Sequence, residues 1–251
     1  MPGPIVLAGS GEFTAAMEAI DRDLLAATGR LRPRVAILPT ASWPAGDECF
    51  LDWIERGRAY YSALGAEVEG VQIRTREDAF DEASAQAIGE ADLVYLTGGR
   101  SGHLLDVLAA TPAGAALRSV HDRGGVLVGC AAGAMVLAAR QPRLVGRRFA
   151  HVPIGWRDAL GIVERVAVLP RYDALPEPLA AALVLASRGG TVVLGIDRET
   201  AAVGLGGTWQ VRGRGRVTVW RGRSRTRHRA GESFRLDAEP EVPGDLDFGL
   251  P

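Results

Sequence analysis

The chain has 251 residues, 47% hydrophobic and 24% charged, which excludes a collagen, a fibre or a disordered polymer as its main state. Its 30 acidic and 29 basic residues nearly cancel, so no net field draws it toward nucleic acid or a membrane surface. Every basic residue is an arginine, and without lysine there is no Schiff base, amine nucleophile or P-loop cation.

The first residues, Met1-Pro2-Gly3-Pro4-Ile5-Val6-Leu7-Ala8-Gly9, lack the basic and long apolar stretches of a signal peptide, and no apolar run reaches membrane-span length. Cys49 and Cys130 match no metal spacing, and His103, His121, His151 and His228 are scattered. The expectation is a cytoplasmic protein with no metal, no cofactor and no membrane or nucleic-acid partner.

In chain order, the apolar run at 5–7 reads as a buried strand, followed by a glycine loop at 9–13 and a helix over 14–28. A strand at 35–38 leads into a loop at 39–42 and an amphipathic helix over 50–64. A strand at 68–73, a short helix at 82–88 and a buried strand at 93–96 come next, then the loop 98–101. Helices at 103–108 and 112–122 precede a strand at 126–128, a loop at 129–133 and a further helix. Continuous apolar strands alternating with helices imply an α/β fold, a mostly parallel central sheet with helices on both faces. Ligands of such sheets sit beyond the carboxyl ends of the strands, where these loops gather. A lone Gly9-Ser10-Gly11 without a third glycine is no dinucleotide motif.

Later residues change character. The run 192–196 reads as another core strand, and from about 208 to 236 alternating residues such as Trp209, Val211, Val217 and Val219 imply antiparallel strands at the sheet edge. The expected organisation is one α/β domain over 1–236 and an acidic, Pro/Gly-rich tail over 237–251. A homodimer would cover the edge strands. Arg221, Arg223, Arg225, Arg227 and Arg229 alternate with other residues, a period that places them on one solvated strand face rather than in a nucleic-acid groove.

The segment that carries chemistry is Val126-Leu127-Val128-Gly129-Cys130-Ala131-Ala132-Gly133-Ala134-Met135. A buried strand runs through Gly-x-x-x-Gly into a helix, the frame of a nucleophile elbow, whose glycines permit a sharp turn and close backbone approach. The helix N-terminus beside the apex favours an anion. Here the apex is Ala131, which has no nucleophile.

Gly129-Cys130-Ala131-Ala132-Gly133-Ala134 resembles the G-x-S-A-G-A elbow of the cyanophycinase and aspartyl dipeptidase (peptidase E) family of serine peptidases, which share a fold with class I glutamine amidotransferases. Ala8-Gly9-Ser10-Gly11-Glu12-Phe13 and Pro39-Thr40-Ala41-Ser42 resemble that family's first two loops. Leu96-Thr97-Gly98-Gly99-Arg100 resembles the segment whose backbone helps form the oxyanion hole, and Val168-Leu169-Pro170-Arg171-Tyr172-Asp173 the segment carrying the catalytic histidine. Gly195-Ile196-Asp197-Arg198-Glu199-Thr200-Ala201 resembles a late strand and loop.

The resemblance implies that Ala131 stands in place of the serine and Arg171 in place of the histidine. Arginine stays protonated near neutral pH and accepts no proton. The acidic third member falls between these segments, where Asp158 and Glu164 are the acids. Cys130, one residue before the apex, is the alternative nucleophile, although a one-residue shift in a tight turn aims it elsewhere. His103 and His151 read as structural.

Three functions follow. The first is a catalytically inactive pseudoenzyme that binds a small acidic molecule, peptide or protein partner through Gly98, Gly99, Arg100, Cys130, Ala131, Ala132, Arg171 and Asp173. The second is an active hydrolase of aspartyl peptide or amide bonds, using Cys130 or a serine that belongs at 131. The third is a different reaction in the old pocket, for example in secondary metabolism. The bland alternative for Arg171 is a local salt bridge with Asp173 or Glu177.

Overall fold

A computed structural model describes residues 1–145, 152–187 and 190–237. Five parallel strands form the heart of the first sheet: β1 (Ile5–Ala8), β2 (Arg34–Leu38), β3 (Glu67–Gly70), β4 (Leu93–Leu96) and β5 (Val126–Cys130), in spatial order β3-β2-β4-β5-β1. Every residue of β1, β4 and β5 is buried, which is why these strands read as continuous apolar runs rather than alternating ones.

Helices supply the cover. They are α1 (Glu18–Ala27), α2 (Asp47–Ala63), α3 (Glu82–Glu90), α4 (Ser101–Leu108), α5 (Pro112–Asp122), α6 (Ala132–Leu137) and α7 (Glu177–Leu185). Helix α5 begins as its sequence dictates: Thr111 Oγ1 accepts from Gly114 N–H and Pro112 occupies the first turn. Helix α3 is capped by Asp81, whose carboxylate accepts from Ser84 N–H. Among the described residues no helix is long and apolar enough to cross a membrane.

The first sheet continues beyond β1 with antiparallel β10 (Thr200–Leu205), β11 (Thr208–Gly213) and β14 (Ser233–Arg235). This is the expected antiparallel extension, but not all of residues 208–236 belong to it. A second sheet holds β6 (Ala138–Val145), β7 (Val152–Asp158), β8 (Val163–Pro170), β9 (Val192–Ile196), β12 (Arg216–Arg221) and β13 (Ser224–Arg229), ordered β13-β12-β9-β8-β6-β7. The core strand at 192–196 therefore lies in this second sheet. So does Val217-Thr218-Val219, in a strand flanked on both sides. The chain crosses between sheets at 197–199 and returns at 214–215, where Arg214 N–H bonds Glu199 O and Gly215 N–H bonds Thr200 Oγ1.

One continuous core joins the sheets. Leu7, Leu127 and Val136 share a cluster with Val166, Leu194 and Val217. Each such fully buried side chain contributes roughly 1.5–3 kcal/mol of transfer free energy. The alternating arginines of β13 are exposed, but Arg225 lies over the Trp220 ring and both Arg225 and Arg227 pair with Glu177 of α7. The tail from residue 238 lies outside the described residues.

On the other face of the first sheet, Asp21 of α1 is buried and accepts from Tyr60 Oη (2.8 Å) and Tyr61 Oη (2.9 Å) of α2. Burial raises its carboxyl to about 6, against a tendency of both tyrosine bonds to lower it. The folded chain thus holds this proton more tightly than the unfolded one. The stabilisation is complete below the unfolded value and is lost as pH rises toward 6, by about 3 kcal/mol in all. Asp21→Asn should erase that dependence: the stability of wild type relative to variant should fall between about pH 4 and pH 7. A constant difference across denaturant melts in that range would contradict the assignment.

Candidate functional site

The carboxyl end of β5 builds the turn. Ala131 has φ 48° and ψ −103°, outside the basins open to L-residues, and α6 begins at the next residue. Packing holds it there. A Cβ on Gly129 would sit 2.6 Å from the Gly133 carbonyl carbon, and one on Gly133 would sit 2.3 Å from Leu96 O. Only glycine permits either approach. Ala131 N–H donates to Ala8 O at 2.9 Å, tying the apex to β1. Ala131 is half-buried, whereas Ala132 is buried.

Three loops close around this apex, at the carboxyl ends of β1, β2 and β4. Gly9 packs so tightly on the chain after β9 that a Cβ would lie 2.1 Å from Asp197 O. Gly99, at φ 143°, has Ala41 O where a side chain would start, and Arg100 N–H donates to the same oxygen at 2.7 Å. Gly98 N–H donates to Glu12 Oε1 at 3.0 Å, and Gly11 N–H to Glu12 Oε2 at 3.2 Å. A Cβ built on Gly98 would lie 2.6 Å from that Oε1 and 3.3 Å from the Ala131 methyl carbon.

Arg171 follows β8, a strand that packs on α6, and it adopts the left-handed conformation at φ 52° and ψ 43°. It is exposed, and its guanidinium makes no ion pair or hydrogen bond among the described residues. The local acids are engaged elsewhere. Asp173 accepts from Arg198 N–H at 2.9 Å and Arg198 Nε at 2.7 Å, while Glu177 takes Arg225 and Arg227. The salt bridge envisaged from Arg171 to Asp173 or Glu177 is therefore not made. Arg100 is likewise exposed and its side chain has no partner among the described residues.

Cys130 turns away from the apex. It is wholly buried in a cluster with Ala8, Tyr61 and Tyr95. Burial, and then the neighbouring Glu12 carboxylate, push its thiol well above the usual cysteine range. Such a thiol has neither the access nor the thiolate character that a nucleophile needs. His103 is bound at Nε2 to Arg74 O at 2.8 Å, a structural role, and His151 lies outside the described residues. Among the described residues no group of histidine, cysteine and acid side chains could hold a metal ion.

The model of peptidase family S51 matches residues 5–211, which takes in β1, every loop just described, the elbow and Arg171. The chain belongs to peptidase family S51. Cyanophycinases from Trichormus variabilis and Nostoc sp. are each 27% identical over 225 residues, covering 86% of this chain and 72% of theirs. A peptidase from an acI-B1 Actinobacterium superposes with a TM-score of 0.82 at 30% identity, covering 94% of this chain and 97% of its own. A putative peptidase E protein from Listeria monocytogenes EGD-e shares the fold, with a TM-score of 0.57 at 19% identity over 92% of this chain and 100% of its own.

The matched span holds the strained turn with its flanking glycines and the left-handed Arg171. Ala131 offers a methyl, and Arg171 a fixed cation. Asp158 is paired with Arg140 at 3.2 Å and its side chain is 81% exposed, while Glu164 is exposed on β8. Neither hydrogen-bonds to Ala131 or Arg171. The residue that sequence reasoning passed over is Glu12. It stood in the first glycine loop, and an acid among glycines at the end of a buried strand was the available signal.

Proposed function

We propose that this S51-family protein is a non-catalytic member that binds a small acidic molecule or an acidic peptide beside the elbow. The observation that carries the reading is the Arg171 guanidinium, which has no ion pair or hydrogen bond among the described residues, with Asp173 and Glu177 already committed to other arginines. An exposed arginine recognises a carboxylate by charge-assisted, often bidentate, hydrogen bonds. Arg100 at the start of α4 adds a second cation. Hydrolysis has no support from the side chains at the apex: alanine cannot attack, arginine cannot take a proton, and Cys130 is sealed below. Both cysteines are unpaired, in keeping with a reducing, cytoplasmic setting.

Isothermal calorimetry with aspartyl dipeptides tests this directly. Binding without turnover is expected, and Arg171→Ala should weaken it by about 10- to 100-fold, the worth of a hydrogen bond to a charged group. Unchanged affinity in Arg171→Ala, or turnover by the wild type, would refute the reading.

A further inference from the structure

The glycine loops beside Ala131 hold a charge opposite to that of Arg171 and Arg100. Glu12 is half-buried, and among the described residues it has no cationic partner. Its two oxygens are each held by one backbone N–H, from Gly98 and Gly11, so the carboxylate is fixed in place. It flanks the same point above Gly98 that the Ala131 methyl flanks. The buried Cys130 thiol is a third donor to it, and because the two oxygens together carry four lone pairs, one remains for a further donor. A Cβ built on Gly98 would lie 2.6 Å from Glu12 Oε1 and 3.3 Å from the Ala131 methyl carbon, which puts this carboxylate beside the apex.

We propose that Glu12 is the specificity-determining residue of the site: it excludes an anion from the elbow and selects a ligand that presents a hydrogen-bond donor there, an amide or an amine. The inference rests on the ligand-binding reading above and gives it a direction. The carboxylate of the ligand lies toward Arg171 and Arg100, and the donor end lies over Gly98 and Ala131. The Gly98 N–H is already satisfied by Glu12, so a ligand carboxylate brought there would both displace that bond and meet a like charge. Like-charge juxtaposition of this kind is strongly discriminating.

The test compares succinate with its monoamide, succinamate, by calorimetry on the full chain. The two probes have the same length and differ in one terminal group. Wild type should bind succinamate about tenfold or more tighter than succinate, the discrimination expected of a close like-charge contact. Glu12→Gln should bring the two affinities together, with a rise for succinate. Equal binding by the wild type, or a preference that survives Glu12→Gln, overturns the inference. Arg171→Ala separates the two claims. If both probes weaken there while the wild type shows no preference, Glu12 loses its role and Arg171 keeps its own. If Arg171→Ala changes nothing while the preference still depends on Glu12, the arginine reading fails and Glu12 stands. Binding of succinate to Glu12→Gln alone upholds Glu12 as the barrier, and no binding to any form sinks both. Should Glu12→Gln fail to fold, the wild-type preference decides.

Discussion

Ala131→Ser combined with Arg171→His should give the protein a measurable peptidase activity toward aspartyl dipeptides, at least about 10³-fold above wild-type background. The frame for it is present. The turn at 131 already has the strained conformation, Gly129 and Gly133 already permit the approach, and Ala131 N–H is already tied to β1. What is missing is a hydroxyl and a base, and these act as one unit. A serine without a base gains little, and a histidine without a nucleophile gains nothing, so each single variant should stay near background. A folded double variant as inert as the wild type would show that position 171 does not supply the base.

The second large effect concerns stability. Gly9→Ala should destabilise the fold by about 3 kcal/mol or more, the upper range for overpacking a core. The added methyl would meet Asp197 O at 2.1 Å and Ile196 O at 2.5 Å, both backbone atoms that cannot rotate away. Gly9 N–H also bonds Thr200 O at 3.0 Å, so any shift there pulls on the crossing between the two sheets. Gly89→Ala in α3 is the matched control, since nothing lies within 4 Å of its added methyl. It should gain up to about 1 kcal/mol from helix propensity. Chemical denaturation of both variants checks the pair, and a Gly9→Ala protein as stable as wild type would refute the packing argument.

The parallel half of the fold could be read from the chain because its signals are local. The strand Leu93–Leu96 and the helix Pro112–Asp122 stand where periodicity puts them. Boundaries moved where a turn competes: α1 starts at Glu18 rather than 14, after Phe13 takes φ 57° and Thr14 Oγ1 bonds Gly11 O. The second sheet was not legible. Its strand β6 carries Arg140, Gln141, Pro142 and Arg143 and follows a helix directly, so no apolar rhythm marks it. Its parallel partner β8 comes later in the chain, and such pairing leaves no local trace. The same holds within the site. Ala131 and Arg171 stand out in the sequence because they depart from the motif it resembles, whereas Glu12 meets Gly98, 86 residues away, only in the fold.

The conformation of Ala131 has one more consequence. Backbone strain of this kind costs about 1–3 kcal/mol and is usually understood as the cost of presenting a nucleophile. Here it persists with only a methyl to present, so the surrounding glycines and the bond to Ala8 impose it, not the chemistry. Position 131 is therefore a mount whose geometry is independent of its cargo. A cysteine, a selenol or a fluorinated alanine placed there would be held at a fixed height and angle above the turn, which makes this chain a ready scaffold for a reporter or for a reaction of the experimenter's choosing.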